Sequence, residues 1–202
     1  SENPDDVYVY ERNGQGDGGK FWTPPVEGER VIIEYFAPEA NTPENGKLPF
    51  QITQISHIFR DALNAEAVCN EADPPDVNCH LNVPAAWAEL AKSVGHLEFV
   101  DGGQVSLCTG TLLNTVANDF HPILLTANHC FDNAAAAQSL RVYWAYNSGD
   151  SPSGALPRSD GAILLSTGDS SDYTLVQILG ALPVRANQVF WSGWEATFPP
   201  SG

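Results

Sequence analysis

With 202 residues, the chain is long enough for one large domain or two small ones, and 43% hydrophobic with 17% charged residues is typical of a globular protein. Its 25 acidic and 9 basic residues give a formal net charge of −16. This charge argues against nucleic acid as a partner, because phosphate binding needs clustered Lys and Arg. The longest apolar runs, such as 123–127, are strand-sized and too short to span a bilayer, so we expect no membrane segment.

Two runs rich in β-branched and aromatic residues, 31–36 and 50–58, predict the first strands of the chain. The segment between them, 37–49, is rich in Pro, Asn, Glu and Gly, which is typical of a surface loop. We interpret residues 1–61 as part of a small antiparallel β-sandwich domain.

A change in composition marks a boundary at 61–82, where Ala, Asn, Asp, Glu and Pro dominate. Residues 84–91 follow, with Pro84 at a favourable first helical position and good helix formers behind it, which predicts a short helix. We assign 62–92 as a boundary segment.

Six short apolar runs separated by turn residues follow from residue 93 onward. They lie at 94–100, 107–113, 122–126, 140–146, 161–166 and 173–178. Six such runs predict an all-β domain at 93–182 that closes into one antiparallel barrel. After a break at Pro183, a seventh strand is predicted at 189–194, and 183–202 is assigned as the start of a further unit.

The four cysteines, Cys69, Cys79, Cys108 and Cys130, form no Cys-x-x-Cys pair, so disulfides are favoured over zinc or thioredoxin-like chemistry. Disulfides in turn predict a secreted, extracellular protein. Cys108 and Cys130 tag two predicted strands, and we expect them to pair and to fix the residue beside Cys130. Cys69 pairs either with Cys79 or with a cysteine beyond position 202, and the sequence leaves both pairings open.

Two motifs carry the functional information: Cys-Thr-Gly-Thr-Leu-Leu at 108–113 and Leu-Thr-Ala-Asn-His-Cys at 125–130. Together they resemble the histidine region of trypsin-like serine peptidases, in which the usual sequence is Thr-Ala-Ala-His-Cys. The form with Asn128 is similar to bacterial lysyl-endopeptidase-like enzymes. This resemblance, which runs from about Cys69 to Trp194, implies a chymotrypsin-like fold of two barrels, the first at 93–182, with His129 as the catalytic histidine.

General base catalysis by His129 requires a buried carboxylate that holds the imidazole in one tautomer. Ser-Asp-Tyr-Thr-Leu-Val at 171–176 matches the setting of the family's triad aspartate, so the resemblance implies that Asp172 has this role. The alternative is that Asp172 only caps a strand entry. Asp160 and Asp169 are weaker candidates, because Asp160 precedes a glycine and no comparable strand directly follows Asp169.

The serine nucleophile should lie in a glycine-rich turn after the aspartate. Ser192 belongs to a segment that resembles the opening strand of the second barrel, and Ser201 has no such turn around it. Gly-Asp-Ser-Pro-Ser-Gly at 149–154 precedes Asp172 and has Pro152 in place of a glycine, so we interpret it as an exposed turn. We expect a fragment that holds His129 and Asp172 and lacks the nucleophile.

These residues predict a secreted serine endopeptidase that hydrolyses protein or peptide substrates, with 1–61 as a propeptide or accessory domain removed near 62–68. Two alternatives stay open: a non-catalytic homologue that binds proteins, and a fragment that does not fold alone. The other histidines lack metal-ligand spacing, and the Gly cluster at 14–19 is not a phosphate loop, so we predict no metal and no cofactor.

Overall fold

The computed structural model describes residues 7–10, 21–23, 26, 28–36, 48–57, 84–146, 157–183 and 189–195, and all structural statements concern these residues. Within them, no helix is both long enough and apolar enough to cross a bilayer. The predicted turn at 149–154 and the residues Cys69, Cys79 and Ser201 lie outside the described residues, as does the proposed cleavage region at 62–68.

Seven strands and two short helices make up the regular structure of the described chain. In chain order they are α1 (Ala85–Ala91), β1 (Val94–Asp101), β2 (Gln104–Leu113), β3 (Ile123–Thr126), α2 (Ala134–Gln138), β4 (Arg141–Trp144), β5 (Arg158–Asp160), β6 (Ala162–Gly168) and β7 (Tyr173–Ile178). Each of the six runs predicted from residue 93 onward overlaps one of these strands, and β5 is the strand that was not predicted. The predicted helix at 84–91 is confirmed as α1, with Pro84 as its N-cap.

All seven strands form one antiparallel sheet with the order β5-β4-β1-β2-β3-β7-β6. The two outer strands of this order, β5 and β6, are separated in sequence by Gly161 alone. They are therefore one strand, bent at Gly161, that pairs with β4 before the bend and with β7 after it. The bend closes the sheet, which confirms the prediction of an all-β, six-stranded antiparallel barrel.

The interior of the barrel is filled by side chains that alternate along the strands. On β3 and β7, Leu124, Val176 and Ile178 are buried while their sequence neighbours are half exposed. The period of two matches the pleat of a strand with one face on the core. Phe99 and Phe131 pack ring to ring inside, with centroids 4.8 Å apart.

Neither predicted strand in the front section forms. Residues 31–36 and 50–57 pair with no described strand, and Ile32 and Phe36 expose 76% and 84% of their surface. Apolar, β-branched composition predicts a strand only where a neighbouring strand supplies the hydrogen bonds, and no described residue does so here. The β-sandwich and the domain boundaries stay predictions.

The predicted seventh strand at 189–194 is also not a strand, apart from an isolated parallel bridge between Leu113 and Ser192. Two indole N–H groups hold this segment to the β2–β3 connection: Trp191 Nε1 donates to the carbonyl of His121 at 3.2 Å, and Trp194 Nε1 to that of Asn114 at 2.9 Å. The segment therefore lies against the connected end of the β2–β3 hairpin.

Candidate active site

His129 and Asp172 meet because β3 and β7 are paired in the barrel. His129 lies in the turn that follows β3, and Asp172 is the last residue of the turn that precedes β7. The register pairs Thr126 with Thr174, so the chain leaving one strand and the chain entering the other lie at the same edge of the sheet.

Both carboxylate oxygens of Asp172 accept hydrogen bonds from His129. The backbone N–H of His129 donates to Oδ1 at 2.9 Å, and its Nδ1 lies 2.8 Å from Oδ2. An ionised carboxylate only accepts, so the Nδ1 atom carries a proton, and whenever the ring is neutral its Nε2 atom has a free lone pair. The structure thus brings the two predicted residues together in the tautomer that a general base needs.

The pKa of the Asp172 carboxyl is held below its ordinary value, first by the hydrogen bond from the backbone N–H of His129 and then by the bond from its side chain. Asp172 is therefore ionised at neutral pH. The expectation of a buried carboxylate is wrong for this chain, because the side chains of His129 and Asp172 are 72% and 53% exposed. Asp172 lies in a turn with a φ of +46°, and about half of its side-chain surface is open to solvent.

The alternative aspartates have other roles. Asp160 accepts a hydrogen bond from buried Arg141 at 2.8 Å and lies in the sheet next to β4. Asp169 shapes the turn through its backbone, since its carbonyl accepts from the N–H of Asp172 at 3.1 Å. Asp172 does stand at a strand entry, but its two oxygens are engaged by His129, which favours the functional interpretation over a cap.

The predicted disulfide between Cys108 and Cys130 is confirmed, with a Cα–Cα distance of 6.1 Å. It joins β2 to the residue after His129 across a sequence separation of 22, which in the chain-entropy model stabilises the fold by about 3 kcal/mol. His129 and the two sulfurs lie within 4.8 Å of one another. Disulfide sulfurs are not thiolates, so this group is not a metal site.

Several threonines near His129 were missed by sequence reasoning. Thr126 Oγ1 donates to the carbonyl of Thr109 at 2.8 Å, and Thr174 Oγ1 donates to that of Phe131 at 2.7 Å. Thr167 Oγ1 accepts from the Asn128 amide at 2.8 Å. Threonine is common in strands, so composition gives no signal for these hydrogen bonds. The sequence signal that could have pointed to them is Asn128, which stands where the motif usually has alanine.

No described serine contacts His129, whose side chain hydrogen-bonds only Asp172 among the described residues. Ser192 Oγ instead donates to Ser93 Oγ at 2.8 Å, and the backbone of Ser192 bonds to Leu112 and Asn114. Ser192 is therefore a structural contact, as its setting in the sequence predicts.

An antiparallel barrel whose turn-borne histidine is fixed by a disulfide and paired with an aspartate on a neighbouring hairpin has the architecture expected of trypsin-like proteins. The family model of the lysyl endopeptidase C-terminal domain matches residues 63–202, and the chain belongs to this family.

The lysyl endopeptidase of Pseudomonas aeruginosa is 27% identical over 195 residues, which cover 88% of this chain and 40% of that protein. The chain thus spans well under half the length of this relative. A solved structure, the scabies mite inactivated protease paralogue S-I1, matches at 16% identity with a TM-score of 0.40, over 56% of this chain and 49% of its own. This second likeness is too slight to carry an argument.

Proposed function

We propose that this chain supplies the general base of a secreted serine endopeptidase. The observation that carries the proposal is the engagement of both Asp172 oxygens by the backbone N–H and the Nδ1 atom of His129. Membership of the lysyl endopeptidase family supports it.

In the proposed reaction, His129 Nε2 takes the proton from a serine hydroxyl as its oxygen attacks the peptide carbonyl. The carboxylate of Asp172 stabilises the imidazolium that forms. His129 then gives the proton to the leaving amine. In the second half of the reaction, His129 takes a proton from the water that attacks the acyl-enzyme and returns it to the serine oxygen. We place the serine, the oxyanion hole and the specificity pocket outside these 202 residues.

Peptides cleaved after lysine are the proposed substrates, on the basis of the family. The net charge of −16 is compatible with this choice, because an acidic surface raises the local concentration of cationic peptides. The Cys108–Cys130 disulfide supports an oxidising, extracellular location. Processing near 62–68 is part of the same proposal, and N-terminal sequencing of the secreted protein tests it.

The test uses the full-length protein that contains this chain, with a fluorophosphonate probe and matched peptides ending in Lys, Arg or norleucine. We expect labelling of a serine and cleavage after Lys. Asp172→Asn should lower kcat by about 10⁴-fold, because the amide disfavours the required tautomer. Asp169→Asn, in the same turn, is the control and should retain activity.

Two results would overturn the proposal: a folded full-length protein that neither reacts with the probe nor cleaves any peptide, or an Asp172→Asn variant with unchanged kcat. The first result would favour the non-catalytic homologue. The choice of lysine fails separately if norleucine peptides are cleaved as fast as lysine peptides.

A further inference from the structure

We infer that Asn128 is a positioning residue for the His129–Asp172 pair and acts through the hydroxyl groups of Thr167 and Thr174. The catalytic meaning of this inference rests on the proposed function, whereas its structural content does not. Asn128 is the residue at which the motif departs from the usual alanine, and alanine has no side-chain donor.

The side chains form a continuous chain of hydrogen bonds. Asn128 Nδ2 donates to Thr167 Oγ1 at 2.8 Å, Thr167 Oγ1 lies 2.7 Å from Thr174 Oγ1, and Thr174 Oγ1 donates to the carbonyl of Phe131 at 2.7 Å. The chain therefore leaves the histidine turn at residue 128 and returns to it at residue 131.

The direction of the chain follows from the number of protons available. Each threonine hydroxyl has one proton, and Thr174 gives its proton to the Phe131 carbonyl. Thr174 can then only accept from Thr167, and Thr167 can only accept from Asn128. The Thr167 hydroxyl also donates to the Tyr173 carbonyl at 3.1 Å, so its single proton is shared between Tyr173 and Thr174, and in either case the Asn128 amide donates to Thr167.

The location of the two threonines explains why the chain positions the pair. Thr167 and Thr174 are cross-strand partners near the turn of the β6–β7 hairpin, and this turn carries Asp172. Thr174 is fully buried, so this end of the hairpin is fixed. Asn128 thus binds the turn that carries His129 to the hairpin that carries Asp172, at a point outside the pair itself.

The other restraints on the histidine turn act at its far end, where Phe131 is buried and its carbonyl accepts from Thr174. Residues 127–131 belong to no strand, and the Cys108–Cys130 disulfide ties the turn to β2, which does not carry Asp172. The backbone N–H of Asn128 contributes to the lowered pKa of the Asp172 carboxyl. Loss of the Asn128 side chain should therefore let the turn move relative to Asp172 and lengthen both bonds.

Four variants of the full-length protein separate these contributions. Asn128→Ala removes the amide donor, and Thr167→Val removes the hydroxyl while keeping the shape of the side chain. Thr167→Ser restores the hydroxyl and is the rescue variant. Thr111→Val is the matched control, because Thr111 lies on β2 and pairs with Leu125, away from the β6–β7 hairpin.

Two spectroscopic readouts report on the pair without requiring activity. The low-field proton signal of His129 Nδ1 should broaden through faster exchange in Asn128→Ala and Thr167→Val, and should stay sharp in Thr167→Ser and Thr111→Val. In ¹³C-labelled protein, the pKa of Asp172 should rise towards its ordinary value in the first two variants, because its hydrogen-bond donors have loosened. In the double variant that combines Asn128→Ala and Thr167→Val, the changes in the Nδ1 signal and in the Asp172 pKa should be no larger than in either single variant, because both substitutions break the same chain of hydrogen bonds.

The kinetic readout is kcat for a lysine peptide, which should fall by about 10-fold to 100-fold in Asn128→Ala with KM changed less than about twofold, as expected for a misplaced catalytic group. The inference is overturned if Asn128→Ala leaves the Nδ1 signal and the Asp172 pKa unchanged, even if its melting temperature falls. An inert wild-type protein with the expected spectroscopic changes would instead overturn the proposed function and leave the positioning role intact.

Discussion

Asp172 is a turn residue whose side chain hydrogen-bonds a residue from a distant part of the chain. Its oxygens bond two different atoms of His129, 43 residues away, and its left-handed backbone is one that aspartate tolerates. Because both side chains are exposed, solvent screens the pair, and we expect it to contribute to function more than to stability.

His96 is a second histidine with a special environment. Its ring stacks on Tyr146 with centroids 4.5 Å apart, faces Tyr143 across the strand pair, and has a buried Nε2 atom with no hydrogen-bond partner among the described residues. Burial lowers the pKa of His96 below its ordinary value, because the charged form is poorly solvated.

The stability of the protein should therefore depend on the protonation of His96. Below the unfolded-state pKa of about 6.5, the unfolded chain binds the proton more readily than the folded protein, so the free energy of unfolding falls as pH falls. His96→Phe keeps an aromatic ring but removes the titrating group, so the free energy of unfolding should fall less steeply with pH. The difference between wild type and variant at pH 5 should be at most about 1 kcal/mol, because partial exposure screens the charge. Urea unfolding of both proteins at pH 5 and pH 7.5 measures this difference in the free energy of unfolding.

An identical slope in wild type and His96→Phe would show that His96 does not contribute.

At the scale of elements, connections between strands carry much of the specificity of the fold. Asn133 caps α2, with its Oδ1 accepting from the N–H of Ala136 at 2.9 Å, and so favours a helix in a run of alanines that packs on β1 and β6. Trp191 and Trp194 hold the segment after the barrel against the β2–β3 connection.

Gly161 is the bend that closes the barrel. Its φ of +75° is left-handed, and both of its backbone groups are bonded: its N–H to the carbonyl of Leu140 at 2.6 Å and its carbonyl to the N–H of Leu179 at 2.9 Å. Gly161→Ala should lower the free energy of unfolding by about 1–2 kcal/mol, since a Cβ atom is unfavourable in this conformation. Equilibrium denaturation measures the change.

Gly193→Ala is the matched control, because a Cβ atom at Gly193 would contact nothing within 4 Å. If Gly161→Ala were as stable as this control, the bend would not depend on glycine.

At the scale of the whole molecule, the front section contacts the barrel through a polar cluster on the outer face of β4 and β5. The guanidinium of Arg141, buried except for 1% of its surface, donates to Tyr8 Oη at 2.8 Å. Tyr8 in turn donates to Asp160 Oδ2 at 3.1 Å, and burial raises the pKa of Tyr8 to about 12, so the hydroxyl keeps its proton.

Tyr8→Phe should lower the free energy of unfolding by about 1.5–3 kcal/mol, because hydrogen bonds to charged groups are among the stronger ones and the ring alone cannot replace them. Amide hydrogen exchange should also quicken at 7–10. Tyr35→Phe, with a side chain 37% exposed, serves as the control. Unchanged stability and exchange in Tyr8→Phe would mean that this contact does not hold the front section to the barrel.

The sequence by itself predicted six of the seven barrel strands, the helix α1, the Cys108–Cys130 disulfide and the two candidate residues of the site. Each of these follows from local information, namely the period of two along a strand, the residues that begin a helix, and a short motif around His129. The same local information wrongly predicted strands at 31–36, 50–58 and 189–194, since the described residues of these runs have no partner strand to complete the ladder.

Only the tertiary structure decided which groups meet across the fold. Three contacts join groups that are far apart in the chain: the closure of the barrel at Gly161, the bond between Arg141 and Tyr8, and the bond from Asn128 to Thr167. The exposure of Asp172 likewise depends on which distant residues lie near it. Their distances are set by strand register and by the twist of the closed barrel, and a linear pattern of residue types specifies neither.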